Sequence, residues 1–409
     1  MAASPASRAP DIGPVASWLV AGALPARLPN EVLQMLCDRL VEAGVNIDRA
    51  GVFVTTLHPY IIGRSFVWRR GQQVVIGEAD ISDEGTPEWR NSPVMEIVTR
   101  GQPVRARIDT PTQHEYAVFS ELRAEGMTEY FAQPLEFING ERHVASWTTR
   151  RKGGFTAGDI AAFEAIQHPL ARVAEVYALR RTATNLLNTY VGGNAGARIL
   201  AGRIRRGHTE SIYAAICLAD LRGFTALADT LPGESVISLL NAYFDCLVTA
   251  IENHGGEVLK FMGDGLLAIF PTSEDVAEGQ VCGESIGAAR EARVRMAELN
   301  RQRAAAGEPT LQFGLALHVG EVAYGNIGGA ARLDFTAIGP AVNLAARIEA
   351  LAGRMGRTIV MSSAVARHCG DGLVSLGRHE LRGFRATEEV FGLADESPAI
   401  AATGTGGAA

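Results

Sequence analysis

The sequence is poor in cysteine, has no excess of positive charge and contains no long apolar run. Its five cysteines are scattered over 409 residues, are odd in number and form no CxxC pair. This usage argues against a disulfide framework or a structural zinc site and favours a reducing compartment. No apolar run approaches the ~20 residues that span a bilayer, and no basic segment like that of a signal peptide precedes the short run at residues 16–24. We therefore expect a cytoplasmic protein without a membrane span.

The charge balance also argues against nucleic acid as a partner. The net charge is −7, so the chain as a whole has no basic field. Residues 192–207 carry several arginines but no interleaved aromatic residues, and we interpret this run as a solvated hinge. A length of 409 residues predicts two or three domains.

Residues 14–158 have the pattern of an α+β domain, between a first segment (1–13) that we expect to be disordered and a long helix. Apolar periodicity predicts a helix at 30–43, strands at 50–57, 61–69 and 72–76, short helices at 93–99 and 114–123, and strands at 128–137 and 142–149. In this order the elements resemble a GAF domain by topology alone, which implies a regulatory role.

Few residues in this domain indicate a ligand. His58, His114 and His143 are each possible haem or metal ligands, but none has a partner at ligand spacing. The alternative, an ordinary surface or core histidine, is favoured for each. There is no cysteine between Cys37 and Cys217, which argues against a thioether-linked bilin.

Residues 159–207 are predicted to form a helical connector. An apolar stripe at spacings of three and four allows two interpretations: burial against its own domain, or a parallel two-helix contact between protomers, which the length favours. The stripe consists of Ile166, Leu170, Val173, Val176, Leu179, Ala183, Leu186 and Tyr190.

The stretch 257–271 predicts a β-hairpin, because two apolar runs of strand length flank a glycine-rich turn. We expect Gly263 and Gly265 to supply positive φ angles and Asp264 to stand at the tip. Lys260 interrupts the first apolar run. An aspartate at such a tip is ordinary turn chemistry when it stands alone.

A second carboxylate, Asp220, follows the apolar run 212–219 and precedes Gly223, Phe224 and Thr225, where a glycine turn opens a helix. Such a turn is a recurrent place for phosphate and metal. Two carboxylates about 4 Å apart repel by roughly 4 kcal/mol at an effective dielectric near 20, so Asp220 and Asp264 need a counter-charge. Oxygen ligands suit Mg²⁺ or Mn²⁺ bound together with substrate phosphates.

A helix is predicted after Gly339 and Pro340, with Asn343 and Arg347 four residues apart on one face. Taken alone, this pair is ordinary solvent-exposed polarity. Together, DLRGFT at 220–225, KFMGD at 260–264 and TAIGPAVNLAAR at 336–347 resemble the class III nucleotidyl cyclase domain in order and spacing, over about residues 211–393. The resemblance implies a catalytic domain at 208–395 with a ferredoxin-like βαββαβ core, acting as a head-to-tail homodimer, and leaves 396–409 as a disordered tail.

The resemblance also assigns residues. It implies that Asp220 and Asp264 hold two divalent ions, that Lys260 and Thr336 read the purine, and that Asn343 and Arg347 orient the ribose and stabilise the transition state. Arg382 falls at a phosphate-contacting position where relatives carry lysine, and Gly223, Phe224 and Thr225 form the turn next to the phosphates. Threonine at position 336 resembles the IIIb subgroup, some of whose members respond to bicarbonate. Pro340 departs from the family's usual Asp or Asn.

The expected reaction is cyclisation of ATP to 3′,5′-cyclic AMP with release of pyrophosphate. Lys260 can only donate, which suits adenine N1, and the Thr336 hydroxyl can accept from N6. A guanylate cyclase and a non-catalytic nucleotide or dimerisation module remain alternatives. A diguanylate cyclase is disfavoured, because the turn does not carry that family's Gly-Gly-acidic hairpin.

Overall fold

The chain divides into two units between Leu186 and Leu187. The structure is a computed structural model that describes residues 10–111, 116–370 and 372–396. His114, residues 1–9 of the first segment predicted to be disordered and residues 397–409 of the second lie outside the described residues. The prediction of disorder is wrong at the end of the first segment, because Ile12 is buried and Gly13 begins a helix.

The first unit is built on a six-stranded antiparallel sheet in the order β3-β2-β1-β6-β5-β4. Its strands are β1 (Arg49–Thr55), β2 (Ile61–Arg69), β3 (Val75–Asp80), β4 (Val104–Arg107), β5 (Glu129–Glu136) and β6 (Arg142–Thr149). The predicted strands agree, except that β3 begins three residues late because a turn occupies Arg70 to Gln72. Strand β4 was not predicted.

Helices cover both faces of this sheet. They are α1 (Gly13–Val20), α2 (Pro29–Glu42), α3 (Pro87–Arg90), α4 (Pro93–Arg100), α5 (Ala117–Ala124) and α6 (Ala157–Val191). One apolar core joins α1, α2 and α6 to one face of the sheet, and a smaller core joins α4 and α5 to the other. In the larger core the ring of Phe163 stacks on Trp147 at a centroid distance of 4.8 Å.

Helix α6 begins at Ala157, two residues before the predicted connector. The Thr156 hydroxyl accepts from the Asp159 N–H at 3.1 Å, and the Asp159 carboxylate accepts from the Thr156 N–H at 2.8 Å, which caps the helix start. Its first half is buried in the larger core through Phe163, Ile166 and Leu170, which is the interpretation of burial against its own domain. Farther along, Val176 is 65% exposed. The protomer contact therefore stays a prediction for the later part of the stripe only.

The second unit contains an eight-stranded sheet in the order β13-β14-β12-β10-β7-β9-β8, with β11 paired to β10. Its strands are β7 (Thr209–Leu221), β8 (Glu257–Met262), β9 (Gly265–Pro271), β10 (Phe313–Gly328), β11 (Leu333–Ile338), β12 (Ile359–Ser362), β13 (Leu373–His379) and β14 (Glu388–Leu393). Its helices are α7 (Gly193–Leu200), α8 (Phe224–Thr230), α9 (Gly233–Asn253), α10 (Glu278–Ala305), α11 (Pro340–Arg354) and α12 (Ser363–Ala366).

Strand β7 lies at the centre of this sheet and is buried on both faces. Ala215, Cys217 and Ala219 join the core made with α9 and α10, whereas Ile216 and Leu218 join the core made with β11 and α11. Because successive side chains alternate between faces, the continuous apolar run that the sequence shows is what a central strand requires.

The interpretation of the arginine-containing run after α6 as a solvated hinge is partly wrong, because residues 193–200 form helix α7 and bury Ala195 and Gly196. The side chain of Arg198 pairs with Glu210. Within the described residues, α9 alone has the length and apolar composition of a membrane span. It also contributes Leu239 to the core of the second unit, and the core helix of a soluble protein can have the same length and composition.

Candidate active site

Two carboxylates meet at the end of the central strand. Asp220 is the penultimate residue of β7, and Asp264 lies in the turn between β8 and β9, which pair antiparallel as predicted. Burial, and next the negative charge of Asp264, raise the pKa of Asp220 to about 6. The fold therefore brings together two acidic groups that are 44 residues apart in the sequence.

The Asp220/Asp264 pair fits a divalent cation bound jointly with a ligand. Among the ion pairs of the described residues, none gives either carboxylate a cationic partner. Asp220 accepts the N–H of Leu221 at 3.1 Å and shares a side-chain hydrogen bond with Asp264. No third metal-ligating side chain completes a cage within the part of the chain described. Mg²⁺ is commonly held by one or two carboxylates plus substrate phosphates, and this donor set matches that mode.

The hairpin turn places Asp264 by a two-residue loop. Gly263, first in the loop, has φ 69°, the left-handed region that a type I′ or II′ turn needs there. The expectation of a positive φ at Gly265 is wrong, because Gly265 pairs with Met262 as the first residue of β9. A Cβ at this position would lie 3.6 Å from the Asp220 carboxylate and 3.4 Å from the Ala219 carbonyl oxygen, which are ordinary contact distances, so neither φ nor space requires glycine there.

Lys260 lies beside an irregularity that the sequence did not reveal. Val258 pairs with Ala268 and Lys260 with Leu267, so Leu259 is an extra residue in β8 and forms a bulge. Bulges re-aim side chains next to functional sites. Leu259 is buried, whereas Lys260 is half-buried and has no described side-chain partner.

Thr336 lies in β11, paired with Gly325 of β10, and is only 3% exposed. Its hydroxyl oxygen has no hydrogen-bond partner in the described part of the chain. A buried hydroxyl without a partner costs about 1–3 kcal/mol, so this oxygen is a candidate contact for a bound group.

The polar face of α11 is exposed. Asn343 and Arg347 are exposed together with Ala346 and Ala350, as the spacing predicts, while the opposite face is buried. Neither polar side chain has a partner among the described hydrogen bonds and ion pairs. Arg382, in the turn between β13 and β14, is likewise exposed.

The turn after β7 has the expected form. Gly223 has φ 70° and precedes α8, which begins with Phe224 and Thr225. Thr225 is exposed and Phe224 is partly buried against the core.

Residues 208–394 match the model of the adenylate and guanylate cyclase catalytic domain family. These residues form a cyclase catalytic domain. The match includes every candidate residue of the site, from Asp220 to Arg382.

Curated relatives match a part of the chain. An uncharacterized protein of Mycobacterium tuberculosis is 29% identical over 231 residues, 55% of this chain and 39% of its own length. An adenylate cyclase of Anabaena cylindrica is 30% identical over 157 residues, 37% of this chain and 30% of its own. The chain thus spans about two fifths or less of these relatives.

Solved cyclase structures align with about half of the chain. The adenylyl cyclase CyaB from P. aeruginosa covers 46% of this chain and 97% of its own, at 25% identity and a TM-score of 0.43. The guanylyl cyclase Cya2 covers 46% and 95%, at 28% identity and a TM-score of 0.40.

The cyclase domain contains one site feature that the sequence reading missed. Arg222, next to Gly223, pairs with Glu349 of α11 at 2.7 Å, and the charge of Glu349 contributes to the raised pKa of Asp220 after burial and Asp264. This ion pair ties the turn after β7 to the helix that carries Asn343 and Arg347. Glu349 lies two positions after Arg347 in the sequence, but only the fold shows that it pairs with Arg222.

Proposed function

We propose that the protein is an adenylate cyclase that converts ATP to 3′,5′-cyclic AMP and pyrophosphate in cyclic nucleotide signalling. The observation that carries the proposal is the Asp220/Asp264 pair, which has no cationic side-chain partner among the described ion pairs and lies inside a cyclase catalytic domain. Two curated relatives, from Anabaena cylindrica and Rhizobium meliloti, are named adenylate cyclases.

In this proposal Asp220 and Asp264 hold Mg²⁺ or Mn²⁺, two ions per site. Such ions, when bound, lower the pKa of the ribose 3′-hydroxyl and neutralise charge on the phosphate chain. The 3′-oxygen attacks the α-phosphorus, the bond to pyrophosphate breaks, and the hydroxyl proton passes to solvent water. Arg347 stabilises charge at the α-phosphate, and Asn343 holds the ribose for in-line attack. Arg382 and the turn at Gly223 contact the phosphates.

The choice of ATP rests on hydrogen-bond polarity. Lys260 offers only donors, which suits adenine N1, and the unpartnered Thr336 hydroxyl accepts from N6. Guanine presents donors at N1 and N2 and would be left facing the ammonium of Lys260. A buried hydroxyl with no hydrogen-bond partner among the described residues supports a role in reading a base.

We further infer a head-to-tail homodimer with composite sites. No described hydrogen bond or ion pair joins the Asp220/Asp264 pair to Asn343 or Arg347, and both of the latter side chains are exposed. One protomer would supply the aspartates and its partner Lys260, Thr336, Asn343, Arg347 and Arg382. Two-fold symmetry would then make two equivalent sites.

The finer fold assignments belong to the same proposal. The order β10-β7-β9-β8 with α9 and α10 on one face supports a ferredoxin-like βαββαβ core. The six-stranded order of the first unit supports a GAF-like regulatory domain. We also propose a cytoplasmic location.

The test is product formation by the purified full-length protein. Incubation with ATP and Mn²⁺, and separately with GTP and Mn²⁺, should give 3′,5′-cyclic AMP at the higher rate, measured by liquid chromatography and mass spectrometry. Cyclic GMP as the main product would make the protein a guanylate cyclase. Nucleotide binding without a cyclic product from either substrate would favour a non-catalytic sensor and overturn the proposal.

The base assignment has its own test. The double variant Lys260→Glu with Thr336→Cys inverts the donors and acceptors and should shift the ATP/GTP ratio of kcat/KM toward GTP. An unchanged ratio in an active double variant would show that these residues do not read the base.

A further inference from the structure

A cavity of about 830 Å³ lies entirely within the first unit, between α2, the strands β1 and β2, and α6. Its floor is apolar and buried. The floor residues are Val32, Leu33, Val52, Phe66, Leu170 and Val173. Small-molecule pockets in proteins measure about 300–1,000 Å³ and are lined mainly by apolar side chains, so this cavity has the size and the floor of a ligand site.

The rim of the cavity carries one sign of charge. Arg27, Arg64, Arg180 and Arg181 line it, and no aspartate or glutamate does so among the described residues. Arg64 pairs with Glu78. In the described part of the chain, the other three guanidinium groups have no ion pair. Burial, and next the positive charge of Arg64, lower the pKa of Arg181, so positive charges lie close together beside apolar surface.

We propose that this arginine-rimmed cavity binds a small amphipathic anion, an apolar chain that ends in a carboxylate. The apolar chain would cover the floor, which the cavity leaves open between α2 and α6. The carboxylate would lie at the rim, where a guanidinium group can donate two parallel N–H bonds to it. An acidic headgroup also relieves the repulsion between Arg64 and Arg181.

The charge pattern distinguishes this occupant from an uncharged or cationic one. A neutral chain of the same length gains the apolar burial but leaves Arg27, Arg180 and Arg181 without an ion pair among the described residues. The binding is independent of the proposed cyclase activity, because every lining residue precedes Leu186 and the catalytic domain starts at residue 208.

The experiment is isothermal titration calorimetry of the full-length protein with sodium dodecanoate below its micellar concentration, with dodecan-1-ol as the uncharged probe. We expect saturable binding of dodecanoate at one site per chain and at least tenfold weaker binding of the alcohol. Charge-assisted hydrogen bonds contribute about 1.5–3 kcal/mol, and 1.4 kcal/mol corresponds to a factor of ten.

Two variants and one control variant test where the ligand binds. Arg181→Ala should weaken dodecanoate binding at least tenfold, whereas Arg100→Ala, the same change on α4 against the opposite face of the sheet, should leave it unchanged. Ala178→Phe should abolish binding by filling the cavity without altering its charge. Far-UV circular dichroism and melting temperature confirm that each variant folds.

Equal affinity for dodecanoate and dodecanol, or equal losses in Arg181→Ala and Arg100→Ala, would overturn the proposal. The absence of dodecanoate binding would overturn it as well. In that case, sedimentation would show whether the Ala178→Phe variant is a smaller species than the wild type. A smaller species would mean that a second copy of the chain occupies this face, as the exposed Val176 and Leu179 on the same helix would allow.

Discussion

Glu257 is a buried carboxylate whose removal should test how helix α7 is held against the rest of the second unit. It is the first residue of β8 and is 8% exposed. Its carboxylate accepts three hydrogen bonds: from the Tyr324 hydroxyl at 2.9 Å, from the Asn194 side-chain amide at 3.2 Å and from the Ala195 backbone N–H at 3.3 Å. Two of these donors are on α7, so Glu257 ties α7 to the hairpin that carries Lys260 and Asp264.

The magnitude follows from what each substitution leaves unpaired. Glu257→Ala leaves the buried Tyr324 hydroxyl and the buried Ala195 N–H without an acceptor, whereas the exposed Asn194 amide can bond to water. Each unsatisfied buried group costs about 1–3 kcal/mol, so we expect a loss of about 3 kcal/mol. Glu257→Gln keeps one acceptor oxygen and should lose about half as much. Tyr324→Phe removes one donor. Burial, and to a smaller extent the charge of Glu257, raise the pKa of Tyr324, so its hydroxyl is protonated at neutral pH and can donate.

The assay is hydrogen exchange of the peptide that covers α7, because the two units make a single global unfolding free energy ill-defined. A loss of about 3 kcal/mol corresponds to roughly a hundredfold faster exchange. Glu252→Ala is the matched control, since Glu252 is exposed on α9 and has no described side-chain partner. Equal exchange of the α7 peptide in Glu257→Ala and Glu252→Ala would refute the reasoning.

Three further outcomes are expected. Asp220→Ala and Asp264→Ala should each lower cyclase turnover at least about a hundredfold with an unchanged melting temperature, because either change removes half of the carboxylate pair; more than a tenth of wild-type rate would reject the metal assignment. Asp220→Ala and Arg347→Ala, each inactive alone, should recover roughly a quarter of wild-type activity after mixing and subunit exchange, since one site of each heterodimer is intact; no recovery in demonstrated heterodimers would place each site within one chain. Burial lowers the pKa of His318 to about 4. The stability linked to its neutral form is therefore present above pH 6.5 and is lost as pH falls toward 4, by about 2 kcal/mol at pH 5. His318→Gln should flatten the pH dependence of the urea unfolding midpoint between pH 7.5 and 5, and an equally steep dependence in that variant would contradict the linkage.

The sequence by itself determined the local elements that carry the candidate site residues and their order along the chain, whereas strand β4 and helix α7 were missed. The hairpin around Asp264, the helix start at Thr156, the buried run of β7 and the shared face of Asn343 and Arg347 all follow from local rules of periodicity, turn chemistry and capping. These rules depend on neighbours a few residues away, which a single sequence shows directly.

Only the tertiary structure decided which distant groups meet. The proximity of Asp220 and Asp264, the ion pair of Arg222 with Glu349 and the bulge at Leu259 each depend on strand register, and a register is set by pairing across many residues rather than by local preference. The arginine-rimmed cavity is of the same kind. Its rim draws Arg27 from the turn before α2, Arg64 from β2 and Arg181 from α6, and no local pattern in the sequence brings those three charges together.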